Sequence, residues 1–592
     1  MEPTLFLNLK AVVNRYRWRL LFTAATVAIS NFLLVINPLI FRQAVMAVTP
    51  QENAVHSPLF IKLFGPYYSS IWPWGLLLIA VAFIAASLKY RMRVGFFSVG
   101  RDVERDTRAK LFNQIQMQSM AFFDRHGTGE LLSRMTNDIN AYRDVLGPGL
   151  LYPLFFLTIV IPAIVALFVI SVPLAALSLL PLAAFPLFNS SLRGIVFKLS
   201  TEVQQKLADL SNMAQEHYAG IRVVRSYVIE NNCYRLFAAL CKELSRYNFK
   251  LVCFLGIIFP FFITVSKTVT LLSVLVAAAI VLKAWGTLNA ADFVSFIWIQ
   301  TYIFFPLLML GWILPIFARG SAAYRRLYEI YMEPIEVHEG TNANLKIPEK
   351  APIKIVNLSF SYPGAEQEAL ENINLEIPAG TFVGFAGPVG GGKSSLFKLL
   401  NREYEVPRGH IFIGEHDIRD YTFEALHRAI VTVEQAPFLF SKTIAENVRF
   451  GREEASQREV ETVSKYAELH ETVLEFPAQY ETEIGERGVT LSGGQKQRVA
   501  LARAFLVERS ILLLDDIFSA VDTETEHKIF QSLKSKFKGK TVLLITHRFS
   551  ILEQMDRVIY VAGGKIVEDG TPEALLRQKG SFAALAELQS FA

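Results

Sequence analysis

The sequence predicts a two-part molecule: a polytopic α-helical membrane domain over residues 1–330, a linker at 331–352, and an α/β domain over 353–592. Three observations carry that prediction. Hydrophobic residues make up 52% of the 592-residue chain and charged ones 19%, an apolar excess over ordinary soluble domains. The excess lies almost wholly before residue 320. From Ile353 onward short apolar runs alternate with turn residues, as in mixed helix and strand structure.

Composition also excludes several classes. The chain is too apolar for disorder and lacks the repeats of a fibrous protein. Its net charge of +5, from 59 basic and 54 acidic residues, is too small a bias to point to nucleic acid. Cys233, Cys241 and Cys253 form no CxxC pair, so free thiols are expected rather than a bridge or a metal site.

In lipid every backbone polar group must be satisfied internally, which favours helices of about 20 apolar residues. Six such runs are present, at about 20–46, 71–90, 148–170, 172–192, 251–282 and 292–318, with Ser171-Val172-Pro173 as a tight outer turn. Pro38, Pro162, Pro181, Pro186, Pro260 and Pro306 fall inside them, tolerable where neighbouring helices satisfy the freed carbonyls. Residues 89–146 carry ten basic residues and 193–250 carry nine, while the opposite connections are nearly bare, with Lys62 and Lys283. By the positive-inside rule both termini are cytoplasmic. Leu5 to Trp18 mixes apolar and basic residues, as an interfacial helix does.

The two basic segments are too long for simple loops. They read as cytoplasmic continuations of the membrane helices, interrupted by crossing elements near 122–139 and 216–230. Solvated helical hairpins and levers contacting the soluble domain fit that pattern equally. Lys267 lies mid-span, where a charge costs at least ~2.5 kcal/mol, and is expected to face either a watery cavity or an ionic partner. Trp298 and Tyr302, among crowded aromatics that include Phe259 and Phe262, are further candidates for a substrate cavity.

In the soluble half, an apolar strand ending at Ala386 leads into Gly387-Pro388-Val389-Gly390-Gly391-Gly392-Lys393-Ser394, with Ser395 and an apolar helix following. This is the P-loop pattern in its strand–loop–helix setting. Glycines let the loop turn its N–H groups toward phosphate oxygens. Lys393 would bring a point charge to the β/γ-phosphates, and the Ser394 hydroxyl would meet Mg²⁺. Downstream, an apolar strand ends in Asp515 and Asp516. The first carboxylate is placed for the metal and the second for the attacking water.

Leu491-Ser492-Gly493-Gly494-Gln495-Lys496-Gln497-Arg498 resembles the ABC signature. Tyr362 resembles the aromatic that stacks on adenine, Gln435 the Q-loop glutamine, and Ser519 to Asp522 the D-loop. His547 resembles the switch histidine, and Thr482 to Gly488 the X-loop of exporters. Over its whole length the chain resembles a half-size ABC exporter of the type IV, MsbA-like architecture. That resemblance implies ATP and Mg²⁺, with Ser394, Gln435 and Asp515 on the metal and Asp516, His547 and Gln435 as catalytic groups. It makes the crossing elements coupling helices. It also implies that Ser492, Gly493, Gly494 and Gln495 meet the γ-phosphate of a nucleotide on a second subunit.

One departure matters. Active members usually have glutamate where this chain has Asp516, and the shorter side chain is expected to miss the water it should activate. With the signature intact, the pattern resembles the non-consensus half of heterodimeric bacterial multidrug exporters of the MdlA-like kind. A homodimer with a slow or adapted Asp516 is the other possibility. The function implied is ATP-driven export of hydrophobic or amphipathic compounds, multidrug or lipid-like, by alternating access. A homodimeric lipid or peptide exporter and a regulatory, non-transporting subunit are the alternatives. Expected partners are a second half-transporter, membrane lipids and a hydrophobic small molecule, without nucleic acid. A bacterial inner membrane is the expected location.

Overall fold

A computed structural model describes residues 5–48, 58–282, 289–340, 342, 344–485 and 491–590. The side chains of Phe259, Phe262, Pro181 and Pro186, together with Lys283 and the later part of the X-loop, lie outside the described residues. The chain divides into two compact units: Met1–Asn113 with Leu131–Met332, and Gln114–Glu130 with Glu333–Ala592.

Among the described residues the first unit has six long helices: Arg17–Val48, Ile71–Gln116, Leu150–Ile170, Val172–Ala219, Glu230–Leu282 and Ala290–Met332. A shorter helix, Leu5–Arg15, precedes them. Four segments among the described residues are long and apolar enough to cross a membrane: Arg17–Ala47, Ile71–Gln116, Thr128–Ile170 and Ala290–Leu307. The inner faces of Arg17–Ala47, Thr128–Ile170 and Ala290–Leu307 pack Val35, Ile159, Ala163, Leu167, Phe296 and Ile299 into one core. Outward-facing residues such as Ile79, Phe83 and Val169 are 67%, 73% and 74% exposed. Apolar exposure on that scale needs a lipid environment.

Polar ties across these helices are short and buried. Ser30 Oγ donates to the Ala85 carbonyl at 3.0 Å, Asn31 Nδ2 to Thr158 Oγ1 at 2.8 Å, and Ser295 Oγ to the Pro38 carbonyl at 2.8 Å. Arg42 pairs with Asp292, whose carboxylate also accepts from the Asn289 N–H at 3.1 Å. Beyond the spans, Lys206 and Glu243 join two of the helical extensions at 2.8 Å. The run from Thr128 to Ile170 contains two π-helical turns, Arg134–Asp138 and Val145–Gly149.

The second unit is a layered α/β domain with ten strands among the described residues. These are β1 (Ile353–Phe360), β2 (Leu370–Ile377), β3 (Phe382–Ala386), β4 (Ile411–Ile413) and β5 (His416–Asp417), then β6 (Ile430–Val433), β7 (Ile511–Asp515), β8 (Thr541–Ile545), β9 (Arg557–Ala562) and β10 (Lys565–Gly570). One sheet has the order β2-β1-β4-β5 and the other β10-β9-β3-β8-β7-β6. In the larger sheet, β3, β8, β7, β6 and β9 run parallel, and β10 is antiparallel at one edge. Strands β3 and β8 are buried at every position, as expected of parallel strands covered on both faces.

The short helix Met120–Arg125 belongs to this second unit. Ala121 and Phe122 are buried there. The Met120 N–H donates to the Glu403 carbonyl at 3.2 Å, and Tyr404 Oη donates to Asp124 at 2.5 Å. Arg125 pairs with Glu333 at 3.0 Å and Glu336 at 2.8 Å.

Candidate nucleotide site

The sheet order brings the site together. Strands β3, β8, β7 and β6 lie side by side, and their carboxyl ends lead into Gly387, Thr546, Asp515 and Gln435 respectively. Open parallel sheets place ligands at that edge.

After β3 the loop folds so tightly that only glycine fits at two points. Gly387 has φ +135°, and a Cβ there would stand 1.9 Å from the Val561 carbonyl oxygen. Gly392, the residue before the helix Lys393–Leu400, has φ +100°, and its Cβ would lie 2.5 Å from the Ala369 oxygen. At Gly391 the conformation is ordinary, but a Cβ would be 2.8 Å from the Val561 oxygen. A serine there would need β9 to move slightly. Gly390 and the exposed Val389 form the loop tip.

Lys393 is buried and bends back over the loop, donating to the carbonyls of Gly387 at 2.9 Å and Pro388 at 2.7 Å. Burial lowers its pKa, opposed by Asp515 and Asp516. Burial holds the carboxyls of both Asp515 and Asp516 above the usual carboxylate range; Ser394 and Lys393 counter this at Asp515, His547 and Gln435 at Asp516. His547 acts on both carboxylates.

Asp516 is held from several sides. Gln435 Nε2 donates to its Oδ2 at 3.1 Å, its own N–H donates to the Ile545 carbonyl at 2.9 Å, and Ser519 Oγ donates to its carbonyl at 3.0 Å. Its φ of +44° is left-handed, a region that aspartate enters more readily than most residues. Tyr362 shares a 3.0 Å hydrogen bond with Ser395, and its ring lies edge-on to Phe360 and Tyr404.

At the signature, Ser492 N-caps the helix Gly493–Val507. The Gln495 N–H donates to Ser492 Oγ at 3.3 Å, while the Ser492 N–H donates to Gln495 Oε1 at 2.8 Å. This reciprocal cap satisfies two end donors. A Cβ at Gly494 would lie 2.5 Å from the Ala520 oxygen, so the D-loop rests directly on the signature helix. Among the described residues no hydrogen bond or ion pair joins Leu491–Gln495 to the P-loop of the same chain.

These segments match known proteins. Residues 20–307 match the family described as ABC transporter transmembrane region, and residues 370–519 the family described as ABC transporter. The chain is 32% identical over 521 residues to the multidrug resistance-like ATP-binding protein MdlA of Escherichia coli (strain K12), covering 87% of each. This chain belongs to the ABC transporter family. It is also 32% identical over 550 residues to an ATP-dependent lipid A-core flippase of Syntrophus aciditrophicus (strain SB), covering 92% of this chain and 90% of that one. A solved bacterial Atm1-family ABC exporter with ATP bound superposes with a TM-score of 0.74 at 25% identity, covering 97% and 99%.

The protein is therefore a half-size ABC exporter of type IV architecture, an integral membrane protein whose ATPase domain couples ATP hydrolysis to transport. ABC exporters work as dimers, so it acts with a second half-transporter.

The structure gathers the P-loop, Gln435, Asp515, Asp516 and His547 on one sheet edge, with the signature on another part of the same unit. Trp298 meets Phe41 edge-on at 5.8 Å. Lys267 is exposed, and among the described residues no hydrogen bond, ion pair or ring contact joins it to Trp298 or Tyr302. Sequence reasoning gave no role to Gln497. Its buried amide donates to the Gln435 carbonyl at 3.1 Å and to Ser519 Oγ at 3.0 Å. Arg548 was missed as well: it pairs with the buried Glu526 and donates to the carbonyls of Phe518 at 2.8 Å and, in the D-loop, Val521 at 2.7 Å.

Proposed function

We propose that this chain is the non-consensus half of a heterodimeric, ATP-driven exporter of hydrophobic or amphipathic compounds, multidrug or lipid-like, in a bacterial inner membrane with both termini cytoplasmic. The observation that carries this reading is Asp516. It replaces the usual glutamate, yet the signature remains fully capped. The names of the relatives, a multidrug-like protein and a lipid A-core flippase, support the substrate class.

In this reading Tyr362 stacks on adenine, the N–H groups from Gly387 to Gly392 surround the phosphates, Lys393 leaves its loop carbonyls for the β/γ-oxygens, and Ser395 anchors Tyr362. The oxygens of Ser394, Gln435 and Asp515 form a hard donor set that fits Mg²⁺. Gln435 uses its amide nitrogen on Asp516, which leaves its carbonyl oxygen for the metal. Bound Mg²⁺ would neutralise charge on the transferred phosphoryl group. His547 faces the developing charge and Asp516 orients the attacking water. A general base acts over ~2.6–3.2 Å; a carboxylate one methylene short and tied to Gln435 makes this site slow. Ser492, Gly493, Gly494 and Gln495 complete the partner's site, where hydrolysis proceeds. Lys267, Trp298 and Tyr302 line the substrate path.

The deciding experiment is a gentle-detergent pull-down of the tagged chain from its native membrane, with the mass of the intact complex measured. A stoichiometric second chain of similar size supports the heterodimer. A self-dimer overturns it, and Asp516→Glu would then speed hydrolysis.

A further inference from the structure

The membrane unit holds a cavity of about 440 Å³. It lies among the helix Leu5–Arg15, the far end of Ile71–Gln116, the segment Ile139–Asp144 and the end of Ala290–Met332. Every lining residue belongs to the same compact unit. The volume is that of a small-molecule site.

Its lining is unusual in chemistry. Tyr142 and Tyr324 stand with ring centres 5.6 Å apart at 31°, and Tyr324 and Tyr328 with centres 6.0 Å apart at 38°. Tyr16 and Tyr331 line it too. Tyr142 is only 3% exposed, and its hydroxyl is buried with no hydrogen-bond partner among the described residues. A buried hydroxyl left unpaired costs ~1–3 kcal/mol, so the fold keeps it at a loss unless something else accepts from it. The segment that carries Tyr142 is flanked on both sides by π-helical turns, which recur at functional sites.

The charges around the cavity are unequal in commitment. Arg15 pairs with Asp106 at 3.0 Å, and Asp106 also accepts from Arg105 at 2.9 Å. Lys110 also lines the cavity and has no ion pair among the described residues. The exposed Lys110 and the buried Tyr142 line the same cavity, so an ammonium and a phenol are the donors set among its aromatic rings.

We propose that this cavity binds a planar aromatic monoanion of small-molecule size, its ring against Tyr142, Tyr324 and Tyr328, its oxygens taking the Tyr142 hydroxyl and the Lys110 ammonium. Tilted aromatic walls favour another ring by stacking and edge contacts; an alkyl chain gains no such preference. The anion satisfies the hydroxyl and the lysine together. The cavity is separate from Lys267, Trp298 and Tyr302, none of which lines it.

The test uses the intact dimeric transporter in lipid nanodiscs, photolabelled with 4-benzoylbenzoate and mapped by peptide mass spectrometry. Saturable adducts on the peptides carrying Tyr142 and Tyr324 to Tyr331, displaced by 2-naphthoate, are expected. Tyr142→Phe keeps the ring and should raise the half-saturating concentration roughly fivefold, as loss of one hydrogen bond does, with basal ATPase unchanged. Lys110→Met should weaken labelling similarly, and Leu327→Trp, which fills the cavity, should abolish it. Labelling that does not saturate, or that survives Leu327→Trp unchanged, overturns the site. Displacement by decanoate but not by 2-naphthoate overturns the aromatic class in favour of a lipid-derived anion.

Discussion

The two crossing elements, Met120–Arg125 and Ile221–Ser226, are both six-residue helices set between long ones, and they end up in opposite circumstances. The first is built into the ATPase unit: Phe122 is fully buried, Tyr404 holds Asp124, and Glu333 and Glu336 hold Arg125. The second has no buried residue. Val223, Tyr227 and Val228 are 58%, 74% and 79% exposed, and Val228 sits at φ +54°, a conformation rare for a β-branched side chain. One chain thus completes one of its two junctions and leaves the other as an apolar surface. On the dimeric reading, that surface is available to the second half-transporter.

The sharpest way to test that contrast is to empty the first junction. Phe122→Ala should cost the C-terminal unit ~3–5 kcal/mol, read as a lower unfolding midpoint by calorimetry. Tyr404→Phe removes a hydrogen bond to a carboxylate and should cost ~1.5–3 kcal/mol, while the edge contact with Tyr362 keeps ATP affinity within about twofold, checked with a fluorescent nucleotide. Arg125→Ala breaks a pair that is more than a third exposed and should cost under ~1 kcal/mol. The smallest effect on the isolated chain is expected from Val223→Asp, within ~0.5 kcal/mol. In the assembled transporter the same change should disfavour docking by on the order of 2 kcal/mol, and transport into vesicles should fall steeply. If Val223→Asp transported normally, the exposed element would have no partner and the contrast would lose its meaning.

Local signals made much of this molecule readable beforehand. Long apolar runs and the Gly387–Ser394 spacing depend on neighbours in sequence, and the helical half and the α/β half they announce are both present. The two crossing elements carried the same kind of signal, apolar residues among charges, and read alike. What separates them is long-range: Met120 bonds to Glu403, and Asp124 to Tyr404, contacts nearly three hundred residues apart that no periodicity announces. The left-handed backbone of Asp516 and the buried amide of Gln497 escaped for the same reason, since each is fixed by strands and loops that meet only after folding.

The close seating of Gly494 on Ala520 has a further consequence. Through Ser519 the D-loop is tied to Asp516, and through Gln497 the signature helix is tied to Gln435. The part of this chain that would grip the partner's nucleotide and the carboxylate that would serve its own are therefore geared together. Even if one of the two sites fires rarely, it would keep time with the other, acting as the escapement of the cycle while its neighbour supplies the drive.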